Sequence, residues 1–112
     1  MTSPQLPNYI RANRKRLALS QDEVAFLLGT ENGTKVCRYE QFVRMPSLET
    51  ALGCEAIFKR SVSELFPGLY QKVEQKVAAR AKTLVERTRR DKSNQRAARK
   101  HETLADLAAL TS

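Results

Sequence analysis

The chain has no tryptophan, one histidine, two cysteines, four glycines and four prolines in 112 residues, and aromatic side chains make up only 6%. Cys37 and Cys54 stand alone without a CxxC spacing, so neither a disulfide framework nor a zinc site is indicated. Both cysteines are expected to be structural or incidental rather than redox sensors, which fits a reducing cytoplasm. His101 lies in a basic stretch with no cysteine or clustered carboxylate beside it, which leaves it no metal-binding or catalytic role. No apolar run approaches the ~18 residues a bilayer span needs, and MTSPQLPNYIRANRKR has no apolar stretch after a basic one. A soluble, cytoplasmic protein with no membrane partner is therefore expected. Gly-rich phosphate loops, GxSxG, HExxH and paired carboxylates in an apolar setting are all missing, and no Ser or Cys has a candidate base nearby in sequence. The expectation is that the protein is not an enzyme and carries no cofactor.

What is abundant is positive charge. Twenty Lys+Arg against twelve Asp+Glu give a net +8, an excess that favours a polyanionic partner such as nucleic acid. Its distribution is uneven: residues 1–67 hold nine basic and seven acidic side chains, residues 68–112 eleven and five. At this length one packed domain plus an appendage is expected. The composition shift at Pro67-Gly68 divides the chain into a compact domain over 8–67 and a basic tail over 68–112.

Apolar residues in the first part recur at helical spacing, with start signals at regular intervals and no strand-like alternation, so an all-α fold of five short helices is expected. Asn8 can cap a first helix that turns Ile10 and Leu17 inward and ends near Ala18. Ser20-Gln-Asp-Glu23 is a capping box; Val24, Ala25 and Leu28 then form a buried stripe that Gly29 stops. A third helix follows Thr30-Glu-Asn-Gly33, with Val36 and Tyr39 inward. Pro46-Ser47 opens a fourth, whose apolar face is Leu48, Ala51, Leu52 and Phe58. Ser61-Val-Ser-Glu64 repeats the capping box before Leu65-Phe66, and Pro67-Gly68 ends the series.

The segments Leu19-Ser-Gln-Asp-Glu-Val-Ala-Phe-Leu-Leu-Gly29, Val36-Cys-Arg-Tyr-Glu40, Arg44-Met-Pro-Ser-Leu48 and Val62-Ser-Glu-Leu-Phe66 are specific. In that order and over about residues 9–66 they resemble the Cro/C1-type (XRE-like, lambda-repressor-like) helix-turn-helix family. Two departures stand out: one extra residue between Gly29 and Val36, and Phe42 where the family has a glycine. A phenylalanine cannot exit a helix through φ > 0 as easily as glycine, so Phe42 either prolongs the helix or docks on a partner. Tyr39 replaces the family's usual Trp, keeping one buried and one wet end.

The resemblance implies that the third helix lies in the DNA major groove while the second crosses the backbone. Gln21 then matches the family's phosphate-clamping Gln, with Ser20 beside it at the helix start. Because Val36 and Tyr39 point inward, Thr34, Lys35, Cys37 and Arg38 are assigned to the outward face, with Gln41 following. Arg38 is expected to read a base, since a guanidinium pairs bidentately with guanine O6 and N7; the alternatives are a phosphate contact or a solvated side chain. Thr34 could touch a base edge or a thymine methyl, and Lys35 and Arg44 are assigned to phosphates. Glu40 would repel phosphate if it faced outward, and the resemblance pairs it with Arg14 in a structural ion pair, of the surface kind often worth under about 1 kcal/mol.

In the tail, Tyr70, Val73, Val77, Ala81, Leu84 and Val85 recur at spacings of three and four, an amphipathic stripe that could pair with a second copy or fold back. From Arg87 to Lys100 the apolar face is lost, leaving either a solvated helix or a disordered basic arm; Leu104, Leu107 and Leu110 then form a brief apolar row. The leading expectation is a sequence-specific double-stranded DNA-binding transcriptional regulator, a repressor of bacterial or phage type, nucleoid-associated when bound. It would act as a homodimer on half-sites about 34–36 Å apart, joined through helix 5, Phe42 and Phe26, or the 70–85 helix. The alternative is an antitoxin-like protein whose tail binds a protein partner, disordered until it does, while the N-terminal domain autoregulates its operon. An RNA or single-strand binder is disfavoured because the basic tail lacks aromatic residues for stacking.

Overall fold

Side-chain caps set most of the helix starts. In the computed structural model, which describes residues 8–88 and 94–111, the regular structure is all-helical and no strand occurs among the described residues. The helices are α1 (Ile10–Arg16), α2 (Gln21–Leu28), α3 (Gly33–Glu40), α4 (Leu48–Phe58), α5 (Val62–Leu65), α6 (Pro67–Arg87) and α7 (Gln95–Ala108), followed by a 3-10 turn over Ala109–Thr111. Ser20, Asn32, Ser47, Ser61 and Asn94 each accept a backbone N–H from the first turn they precede. Ser20 and Ser61 complete reciprocal capping boxes with Glu23 and Glu64. Donation from the Ser61 hydroxyl and backbone holds the Glu64 carboxyl below its ordinary range.

The chain divides into two compact units, Met1–Leu69 and Tyr70–Ser112, with the boundary inside α6. In the first unit the core comprises Ile10, Val24, Ala25, Val36, Tyr39, Cys54, Phe58, Leu65 and Phe66, with Leu28, Phe42, Ile57 and Leu69 packed against it. Complete burial of a side chain such as Phe58 contributes about 1.5–3 kcal/mol, so α1, α2, α3, α4 and α5 are held by a shared apolar centre rather than by their own length.

Several expectations are corrected. Leu17 is exposed, because α1 ends at Arg16 and the chain turns away through Ala18 at φ 60°. On α4, Leu48 (74% exposed) and Leu52 face outward; the buried positions are Ala51, Cys54 and Phe58. Small residues face the core there because α4 lies close to α2: a Cβ on Gly53 would sit 2.7 Å from Leu28 Cδ2. Phe42 neither prolongs α3 nor stands free for a partner. It takes φ 52° itself and packs against Phe66 with ring centroids 6.3 Å apart. A left-handed phenylalanine costs roughly 1–2 kcal/mol, which half-burial of the ring offsets.

Pro67 is not a linker. α5 stops before it, but a proline suits a first helical position, where its missing N–H has no partner to lose, and α6 begins there and runs 21 residues. Seven helices are therefore present among the described residues, five before Pro67 and two from it onward. In the second unit the burial falls on Ala78 and Ala81, whereas Tyr70, Val73, Val77 and Leu84 are exposed. α7 begins at Gln95, so Gln95–Lys100 of the Arg87–Lys100 run is helical, and its Ala97 is buried. Residues 89–93 of that run lie outside the described residues. Leu104 and Leu107 are half-buried and Leu110 is exposed. His101 Nε2 lies 2.8 Å from the Thr88 carbonyl just beyond the end of α6. No helix among the described residues is long and apolar enough to cross a membrane.

Candidate nucleic-acid interface

α3 is fixed at both ends, and this defines what its outer face can offer. Gly29 ends α2 in the left-handed conformation at φ 74°, and Asn32 caps α3 through Thr34 N. At the start of α3 the Gly33 N–H donates to Asp22 Oδ1 at 2.9 Å, tying it to the first turn of α2. At the far end, Glu40 accepts from Arg14 Nε at 2.6 Å, Arg14 Nη2 at 3.4 Å and Gln21 Nε2 at 3.1 Å. Arg14 also donates through Nη1 to the Leu19 carbonyl at 3.0 Å. The Asn8 amide donates to the Tyr39 carbonyl at 3.0 Å, which adds a third anchor at the C-terminal end of α3. The Arg14 and Glu40 side chains are only 12% and 5% exposed, so this is a mostly buried pair, not the surface pair expected. The hydrogen bond to Glu40, opposed in part by burial, raises the Arg14 guanidinium above its ordinary pKa.

With its ends held, α3 and its C-cap residue present Thr34, Arg38 and Gln41 as exposed side chains at i, i+4 and i+7, a single stripe. Lys35 and Cys37 are not on that stripe; both are half-buried, one at each edge, because a helix turns about 100° per residue. Cys37 edges a cleft completed by Arg11, Gln21 and Gln41 beside the Arg14–Glu40 pair. Lys35 edges a second cleft with Arg44, where Glu31 and Glu49 make the lining mixed in charge. Arg44 is exposed. The Thr30 hydroxyl, in the link between α2 and α3, is buried without a hydrogen-bond partner among the described residues.

Gln21 is half-buried and directs one amide hydrogen to Glu40, leaving the second for an outside acceptor. Ser20 is exposed, its hydroxyl accepting from Glu23 N at 3.0 Å while its own proton stays free to donate. Three contributors were missed in the sequence. Arg11 sits three residues before Arg14, a spacing that places both on one side of α1 and was the only available signal. Nothing local marks Asp22 as the acceptor for Gly33, or Asn8 as a donor to α3.

The cysteines differ in kind. Burial pushes the Cys54 thiol up to about 11, whereas Cys37 is half-buried at a cleft edge. At pH 8 only about one Cys54 in a thousand would be thiolate in the folded chain. Iodoacetamide at that pH is expected to alkylate Cys37 and spare Cys54 until the protein is unfolded, as peptide mass mapping would read; equal labelling of the two would refute this. Since the folded pKa lies above the unfolded one, the stability that Cys54 contributes is complete below about pH 9 and is lost as pH rises towards 11.

Among the described residues no three His, Cys, Asp or Glu side chains gather to hold a metal ion. The arrangement is a rigidly mounted helical ridge with hydrogen-bonding tips, between two concave flanks that carry cations. No protein-family model, curated protein or solved structure matches the chain.

Proposed function

We propose that residues 8–67 form a helix-turn-helix domain of Cro/C1 type and that the protein is a sequence-specific regulator of transcription acting on double-stranded DNA. The observation that carries this reading is the exposed Thr34–Arg38–Gln41 stripe on a helix whose opposite face and two ends are all tied down. Such a ridge suits the major groove, which admits one α-helix and displays a distinct donor and acceptor pattern for each base pair. Arg38 reads guanine, Thr34 and Gln41 touch neighbouring base edges, and the flanking clefts meet the two phosphate rows. Lys35 and Arg44 serve one row; Gln21, Ser20 and Arg11 serve the other. Cys37, at the edge of the ridge, contacts DNA only peripherally. Two copies on adjacent half-sites would occlude a promoter, so the regulator acts as a repressor.

Selection of duplexes from a random library by the full chain tests the reading. An inverted repeat should emerge, and Arg38→Ala should bind it about 5- to 150-fold more weakly, equivalent to about 1–3 kcal/mol, with relaxed preference at one base pair of each half-site. Lys35→Ala or Arg44→Ala should instead weaken all sequences alike and reduce the salt slope by about 1. Absence of any enriched sequence, with Arg38→Ala binding like the wild type, would sink the proposal. A second reading, an antitoxin-like regulator, draws support from the exposed Tyr70, Val73, Val77 and Leu84 row on α6, which a protein partner could cover.

A further inference from the structure

The second unit carries a cationic strip that the α3 interface does not use. Arg96, Arg99 and Lys100 are exposed on α7 at i, i+3 and i+4, which places their side chains side by side. None of the three has an ion-pair partner among the described residues. The order of charge along α7 also runs against the helix dipole. Arg96 lies in the first turn, where an anion would be favoured, and Asp106 in the last, where a cation would be. A sequence selected for helix stability alone would reverse them. We infer that this strip is a second DNA contact, which grips backbone phosphates of the duplex flanking the site read by α3. The inference rests on the reading of α3 as a DNA-contacting helix and extends it to the second unit.

The chemistry favours duplex backbone over other polyanions. Three adjacent guanidinium and ammonium groups supply charge and donors for successive phosphates, while no aromatic side chain lies among them to stack unpaired bases. The contact depends on these side chains and owes nothing to the N-terminal amides of α7, which Asn94 caps through Ala97 N at 2.8 Å. Because α7 shares a chain with α3, its phosphate contacts become intramolecular once the first unit is bound. They add affinity and footprint length without adding sequence preference.

The test is the full-length triple variant Arg96→Glu/Arg99→Glu/Lys100→Glu. A glutamate at position 96, in the first turn, suits the dipole and offsets the like-charge pair it forms with position 100, so helix content by circular dichroism should hold. Binding is measured at several salt concentrations to duplexes with long and with trimmed flanks around the selected site. The expected result is affinity about tenfold or more lower at 0.1 M salt, a salt slope smaller by about 2–3, an unchanged selected sequence, and no remaining advantage for long flanks. Unchanged slope and unchanged flank dependence would overturn the inference while leaving the α3 reading intact. If the wild type selects no sequence, the α3 reading fails and the flanking contact falls with it, whatever the variant does to salt-dependent binding.

Discussion

Replacing Glu40 with alanine is expected to cost the first unit about 2–4 kcal/mol, a large share of the stability a domain of this size usually has. An exposed ion pair would contribute under about 1 kcal/mol, so burial decides the magnitude. Here the Arg14 side chain is 12% exposed, and its Nε and Nη2 both donate to Glu40. Removing the carboxylate leaves a largely shielded guanidinium without its counter-charge and, among the described residues, with only the Leu19 carbonyl as acceptor. It also frees the Gln21 amide that donates to Glu40. The pair's contribution is fully present below the ordinary guanidinium pKa and would fade only as pH rose through the still higher folded value. It should therefore not vary with pH on the alkaline side of neutrality.

Urea denaturation of Glu40→Ala gives the number, and a partner variant gives the mechanism. Arg14→Met/Glu40→Met removes both charges and should recover much of the loss, because an apolar pair of similar volume needs no counter-charge. A Glu40→Ala cost under about 1 kcal/mol, or a double variant no better than the single, would mean that water reaches Arg14 freely. DNA preference, measured where the variant remains folded, should be retained, since Glu40 lies behind the ridge rather than on it.

What the sequence discloses is what short-range physics decides. The capping boxes at Ser20–Glu23 and Ser61–Glu64 involve residues three apart, so their geometry follows from the residues themselves. The stripe of Thr34 and Arg38 follows from helical period once Val36 and Tyr39 point inward, and the same argument includes Gln41. Lys35 and Cys37 are half-buried rather than outward, because a position that is not inward need not be fully outward. Leu48 and Leu52 misled for a different reason: how closely two helices approach is set by their neighbours, and here it selects Ala51, Gly53 and Cys54 over larger side chains. The Asp22 and Asn8 hydrogen bonds span 11 and 31 residues, and nothing in the sequence near either residue records its partner. Phe42 was legible as a departure from the expected glycine, but its left-handed conformation depends on Phe66 being there to receive the ring.

Gly33→Ala presents two effects of opposite sign. Helix propensity alone favours alanine over glycine by up to about 1 kcal/mol, so a local reading expects stabilisation. The surroundings predict the reverse. A Cβ at Gly33 would lie 2.6 Å from Asp22 Oδ1, 3.0 Å from Asp22 N and 3.0 Å from Gln21 Cβ. The Asp22 carboxylate can swing aside, but only by releasing the Gly33 N–H it accepts at 2.9 Å, a bond to a charged group worth about 1.5–3 kcal/mol. The backbone nitrogen and Gln21 Cβ belong to α2 itself, so α3 must also shift by a few tenths of an ångström, an overpacking cost of about 1–3 kcal/mol. Set against the propensity gain, the net loss is expected to be about 2–4 kcal/mol. Asp22→Ala added to Gly33→Ala should then cost less than the two single losses combined, because the same hydrogen bond is lost in each. That coupling separates a specific clash from general fragility. The functional consequence follows from position: Gly33 precedes Thr34, so a displaced helix start carries Thr34 and Arg38 out of register with the base edges. Affinity for a selected duplex should fall more than affinity for random DNA, even at temperatures where the variant remains folded. If Gly33→Ala melted at or above the wild-type temperature, the close approach of α2 and α3 would have to be abandoned.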